Sequence, residues 1–181
     1  MAADSIRSNL SSHVCAPYFK VSYMFKYILS ILILGVSFMA WSEETWSVGE
    51  ATIQGKPVVY KFMNDFPDGS TRSKMEWLTV VSWTYDGSTN NGMPPKHVNE
   101  LMIKLEDGLE IIRGREEHYF DVYSATGNGL KEFVFYIADR EVFMKRFNEA
   151  LSGHDAYPID INFYKDKEWS NLKKLQTDFG I

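Results

Sequence analysis

Apolar and polar positions alternate with two different periods along this chain, and the periods divide it into strands and helices. Met75–Tyr85 (Met-Glu-Trp-Leu-Thr-Val-Val-Ser-Trp-Thr-Tyr) is the longest run of β-branched and aromatic residues. It reads as a central strand, because such side chains suit a pleated surface. Before it, Glu44–Thr52 and Lys56–Asn64 read as two strands joined at Gln54-Gly55, a hairpin signal. Asp65–Ser73, with Pro67, Asp68 and Gly69, reads as a turn-rich loop, and Asp86–Gly92 as a polar one.

The period then changes. Val98, Leu101, Met102, Leu105, Leu109 and Ile112 recur at spacings of three and four, which predicts a helix over Lys96–Arg113 with these six inward. Gly108 weakens that helix by about 1 kcal/mol relative to alanine. His118–Ser124 and Leu130–Ala138 are two more strands around Thr126-Gly127-Asn128-Gly129. Asp139 is a suitable N-cap for a helix over Arg140–Leu151, with Phe143, Phe147, Ala150 and Leu151 inward. Tyr157–Lys165 reads as a last strand and Glu168–Thr177 as a short terminal helix. From the central strand onward the order is strand, helix, strand, strand, helix, strand. With right-handed crossovers this predicts an α+β domain, a ferredoxin-like split βαβ sandwich with an antiparallel sheet and two main helices. The first hairpin and the short C-terminal helix are additions to it.

Alternation along each strand assigns the sheet faces. Phe133, Phe135 and Ile137, like Ile159, Ile161 and Phe163, are expected to meet the helices, together with Leu78 and Val80. The opposite face is expected to carry Trp77, Thr79, Val81, Trp83 and Tyr85, then Glu132, Val134 and Tyr136, then Asp160, Asn162 and Tyr164, with Asp121 from the polar side of its strand. A face both aromatic and acidic suits cationic or sugar-like partners. The candidate binding residues are therefore Trp77, Trp83, Tyr85, Tyr136, Tyr164, Asp121 and Asp160. The competing expectation is that the N-terminal hairpin (Trp46, Val48, Val58, Tyr60, Phe62) or a second copy covers this face, since large apolar patches are seldom left open.

The N-terminal part of the chain follows a different logic. Lys26 precedes a mainly apolar run, Ile28–Ala40, which leads into Ala40-Trp41-Ser42 and then Glu43-Glu44. That is the layout of a secretory signal peptide, and the run is short for a membrane span, which takes about 20 residues. Residues 1–42 are thus expected to be an N-terminal extension plus signal, with Met24 as the true start, and 43–181 a single domain. The expected location is periplasmic or secreted; the alternative is an uncleaved anchor in the inner membrane, the only membrane contact foreseen.

Composition changes the picture in two places. The chain has 181 residues, 45% apolar, 24% charged and 15% aromatic, with a net charge of −5. Residues 1–42 hold three of the 19 basic and one of the 24 acidic residues, so 43–181 carries −7. An acidic domain has no electrostatic footprint for nucleic acid. The single cysteine, Cys15, lies in the removed part, so the mature chain has no disulfide and no thiol nucleophile.

Candidate chemistry is sparse. His97, His118 and His154 remain in the mature chain, without a zinc-protease, nucleophile-elbow or P-loop motif. Asp86, Ser88 and Asn90 imitate the start of a calcium loop. However, Asn91 stands where the turn glycine belongs and His97 where the bidentate glutamate belongs. No cofactor and no metal is expected. Asp166 and Trp169 are expected to pin the last helix.

Trp83-Thr-Tyr85, Gly92-Met-Pro94, Leu105-Glu106, Phe135-Tyr136-Ile-Ala-Asp139 and Asp166-Lys-Glu-Trp169 resemble the bacterial family called domain of unknown function 695, over most of Glu43–Asp178. An aromatic residue is expected shortly after Trp169, where Leu172 stands instead. The resemblance carries no activity or catalytic residues. Two functional expectations follow from the residues themselves. One is a non-enzymatic, exported module that binds a protein or small ligand, or forms a homodimer, through the aromatic and acidic sheet face. The other is a hydrolase or lyase using His118 or His154 with nearby acids.

Overall fold

The computed structural model describes residues 45–113 and 119–181. The stretch expected to be a signal, with Met24, Cys15 and His118, lies outside the described residues.

Two tight turns set the strand pairings. Gln54-Gly55 (φ +52° and +78°) and Asn128-Gly129 (φ +51° and +77°) each place two consecutive residues in the left-handed region. That is the signature of type I′ turns, whose twist matches antiparallel strands. The first turn joins β1 (Trp46–Ile53) to β2 (Lys56–Met63), and the second joins β4 (Tyr119–Gly127) to β5 (Leu130–Ile137). With β3 (Trp77–Thr84) and β6 (Asp160–Lys165) they form one six-stranded antiparallel sheet in the order β1-β2-β4-β5-β3-β6. The β6-β3-β5-β4 part is compatible with the expected ferredoxin-like split βαβ topology. The N-terminal hairpin does not fold over that sheet; β2 pairs with β4 and lengthens it.

Four helices accompany the sheet among the described residues: α1 (Gly69–Lys74), α2 (Lys96–Arg113), α3 (Arg140–Ala150) and α4 (Ser170–Asp178). α1 corrects the loop expected over Asp65–Ser73. Asp68, read as a turn residue, is its N-cap and accepts from the Ser70 and Thr71 amides at 2.8 and 3.1 Å. Asp139 caps α3 as expected, accepting from Glu141 and Val142 at 2.8 and 2.9 Å.

The two main helices cover one face. Met102, Leu105, Leu109 and Ile112 of α2 and Phe143 and Phe147 of α3 pack on Phe133, Phe135 and Ile137 as the alternation predicts. Leu101, expected inward, is 42% exposed. Gly108 has a packing role: a Cβ there would stand 2.8 Å from Leu151 Cδ2 and 2.9 Å from His154 Cε1, so the glycine admits the loop after α3.

The faces of β3 are the reverse of the expectation. Val81, Trp83 and Tyr85 are buried under α2 and α3, and Trp77 packs at the margin of that core. Leu78 and Val80 point to the other face. Register explains the inversion. Val81 sits opposite Phe133 and Thr79 opposite Phe135, and residues opposite one another in an antiparallel pair share a face. The face covered by the two main helices takes the bulkier odd-numbered set, which buries more apolar area.

Candidate functional site

The second sheet face is half sealed and half open. The sealing element is α4, held at both ends. At its start, Trp169 adopts a left-handed conformation (φ +54°) as N-cap residue. This backbone turn lays the indole flat on Tyr136, with centroids 4.0 Å apart and planes 5° from parallel. Its Nε1 donates to the Met75 carbonyl at 3.0 Å, and Phe66 and Phe120 flank it.

Asp166 ties the same corner. Its Oδ2 accepts from the Tyr136 hydroxyl at 2.5 Å and the Asn171 amide at 2.9 Å, and its Oδ1 from the Ser170 amide at 2.9 Å and hydroxyl at 2.6 Å. Burial alone would raise the Asp166 carboxyl. The hydrogen bonds from Ser170, Tyr136 and Asn171 outweigh it and hold the group below the ordinary aspartate value. Tyr136 is pushed far up, first by burial and then by its bond to Asp166.

Farther along α4, Asn171 accepts from the Tyr123 hydroxyl at 2.9 Å, and Gln176 donates to the Met63 and Asn64 carbonyls, each at 3.0 Å. Just past the helix, Phe179 stacks on Phe62 (centroids 5.1 Å apart) and tilts against Tyr60. A Cβ on Gly49 would lie 2.4 Å from the Phe179 ring, so glycine is what lets the ring lie on β1.

Beyond α4 the face is open. One transverse row of the sheet runs Gly49, Tyr60, Ala125, Glu132, Ser82, Asp160, each paired in register with the next. Next to it lies a cup of about 160 Å³. Val58, Ala125, Gly127 and Leu130 give it an apolar lining; Ile53, Tyr60, Asn128 and Glu132 complete its wall. Glu132 is half-buried, and burial raises its carboxyl above the ordinary glutamate value. Tyr60 is raised by burial first, then by the charges of Glu132 and Asp178. Tyr123, under α4, is raised in the same way, by burial and then by Glu132. The cup therefore combines hydrocarbon, a phenol and one partly desolvated acid.

Sequence reasoning grouped seven candidates, and the structure separates them. Trp83 is 4% exposed beside Tyr157, under α2 and α3. The Tyr85 hydroxyl donates to the Gly92 carbonyl at 2.9 Å, which makes it a loop anchor. Trp77 lies between the Arg140 guanidinium (4.3 Å) and the Lys165 ammonium (4.0 Å), toward the helix side. Tyr136 is on the second face but sealed beneath Trp169. A bulge between Asp121 and Tyr123 splits the polar side of β4: Asp121 aligns with Phe135 and Tyr119 is in the helix-side core, whereas Tyr123 faces α4. Of the seven candidates, Asp160 and Tyr164 are the ones exposed on the second face, Tyr164 at 53%. The cup residues Glu132, Tyr60, Val58 and Leu130 were not among the candidates. One signal for them was present: Glu132 interrupts the otherwise apolar end of Leu130–Ile137 on the face opposite Phe133.

His154 is exposed, and its Nδ1 lies 2.7 Å from the Tyr157 hydroxyl. Among the described residues, no group of three His, Cys, Asp or Glu side chains is placed to hold a metal ion. None of the described helices is long and apolar enough to cross a membrane.

Comparison with known proteins gives one match. The model of the Family of unknown function (DUF695) covers residues 44–174. The chain belongs to this family. Its match reaches Asp166, Trp169 and Leu172, so the corner that pins α4 lies within the family's extent. No curated protein and no solved structure matches the chain.

Proposed function

We propose that this DUF695 member is an exported, non-enzymatic binding module whose ligand seats on the open half of the second sheet face. One observation carries the reading: α4 stops short of the cup, leaving an apolar recess with a half-buried acid beside the half of the face that α4 seals. Concave, mostly apolar sites with a few placed polar groups are where ligands bind. Export is supported by the Lys26, Ile28–Ala40 and Ala40-Trp41-Ser42 pattern. The alternative, a hydrolase or lyase at His118 or His154, draws no support from the cup, since His154 is not among its lining residues.

The test is a fragment screen by ligand-observed NMR on the full chain and on Leu130→Trp, which fills the cup from its own floor. Hits that bind the parent and are lost in a folded Leu130→Trp support the reading. Hits equally retained by the variant contradict it. Light scattering of the same samples separates ligand capture from a homodimer formed through this face.

A further inference from the structure

The cup is chemically lopsided. Val58, Ala125 and Leu130 offer hydrocarbon, and Glu132 is the sole carboxylate in the lining. Taking a carboxylate partly out of water is costly unless a cation or hydrogen-bond donors compensate it. Among the described residues no lysine, arginine or histidine pairs with Glu132 and no donor bonds to it. Glu132 in turn acts electrostatically on the phenols of Tyr60 and Tyr123, which bring it no positive charge. The remainder of the row, Ser82 and Asp160, brings none either; Ser82 is turned to the Asp160 carbonyl at 3.4 Å.

We propose that the cup seats an alkylammonium group, with its aliphatic chain along Val58, Ala125 and Leu130, its charge on Glu132 and the Tyr60 ring beside it. The proposal rests on the reading that the open half is a ligand site, and it names the class of ligand. Three features support a cation with a short hydrocarbon body. The acid has no countercharge among the described residues. The Tyr60 ring in the same lining offers cation–π attraction. The cup is also of the size that holds about six heavy atoms, since a cavity of about 150 Å³ takes benzene. A bare metal ion does not suit it, because a single carboxylate in hydrocarbon cannot supply the oxygen shell a hard cation needs. An anion would meet Glu132 and the net negative charge of the chain. The same ammonium chemistry is offered by free amines and by lysine side chains.

The experiment titrates the full chain with n-butylamine, with Nα-acetyl-lysine methylamide and with n-butanol, the uncharged counterpart of the first. Binding is followed through the methyl resonances of Val58, Ala125 and Leu130. At neutral pH at least one of the two amines is expected to bind about tenfold or more tightly than the alcohol, equivalent to about 1.4 kcal/mol. Tighter binding by butylamine assigns a free amine, and tighter binding by the lysine derivative a side chain of a partner. Glu132→Gln is expected to erase the preference while keeping the alcohol's affinity. Equal binding of amine and alcohol to the parent overturns the alkylammonium proposal and leaves the cup a ligand site. Methyl shifts from none of the three probes overturn the alkylammonium proposal as well. In that case fragment hits lost in Leu130→Trp still uphold the site, and their absence removes it. The parent comparison decides the matter even if Glu132→Gln fails to fold.

Discussion

Trp169 lies parallel to Tyr136, ring on ring at 4.0 Å, and it is fully buried. This contact closes one half of the second sheet face. Removing the indole in Trp169→Ala empties the space between Tyr136, Phe66 and Phe120 and frees the Met75 carbonyl. The expected loss is about 3–5 kcal/mol, measured by urea unfolding at constant protein concentration. Trp169→Phe keeps a ring but loses the indole donor and is expected to cost less.

Asp166 makes the same corner sensitive to acid. Its folded carboxyl lies below the ordinary value of 3.8, so its stabilisation is complete above that pH and is lost as pH falls through the folded value. Asp166→Asn removes the charge that accepts from Tyr136 and Ser170. At neutral pH the variant is expected to be about 1–2 kcal/mol less stable. The gap from the parent should narrow below pH 3.8, where the parent's own carboxyl protonates. Unfolding free energies from pH 2 to 7 on both proteins check this; a gap that stays constant across the range opposes it.

Gly49 tests the far end of α4. A side chain there must displace the Phe179 ring from β1. Gly49→Val is expected to cost about 1–3 kcal/mol, the usual range for overpacking. Hydrogen exchange should show its effect in the last turn of α4 and leave β3 and β5 protected. Faster exchange throughout the sheet would mean that the ring holds more than the helix end.

The fold was largely legible in the sequence because its elements are set locally. The i, i+3, i+4 pattern in Lys96–Arg113, the Gln54-Gly55 and Asn128-Gly129 turns and the Asp139 cap depend on nearest neighbours. Which face of β3 is inside does not. Leu78 and Val80 are as apolar as Val81, and alternation cannot rank two apolar registers; pairing with Phe133 and Phe135 decides it. The correction has a measurable consequence. A binding role for Trp83 would leave Trp83→Ala folded, whereas a core Trp83 makes that change cost about 3–5 kcal/mol. Thermal unfolding of Trp83→Ala distinguishes the two.

The candidate site was less legible. Val58, Ala125, Leu130 and Glu132 come from three strands and meet only through register. The sealing of Tyr136 depends on one left-handed residue, Trp169, whose backbone conformation no side-chain pattern reveals. Asp166 and Trp169 were readable as pins for the last helix. That the pinned helix would divide the face, and where it would stop, was not.

The central claim is that ligand recognition is confined to the half of the second face that α4 leaves open. Methyl chemical-shift mapping of the full chain against a fragment library tests it most directly. The account predicts shifts at Ile53, Val58, Ala125 and Leu130 around the cup, with Val81, Leu105 and Leu109 under the main helices unmoved. Shifts clustered at the helix-covered core or around His154, with the cup methyls silent, would contradict it.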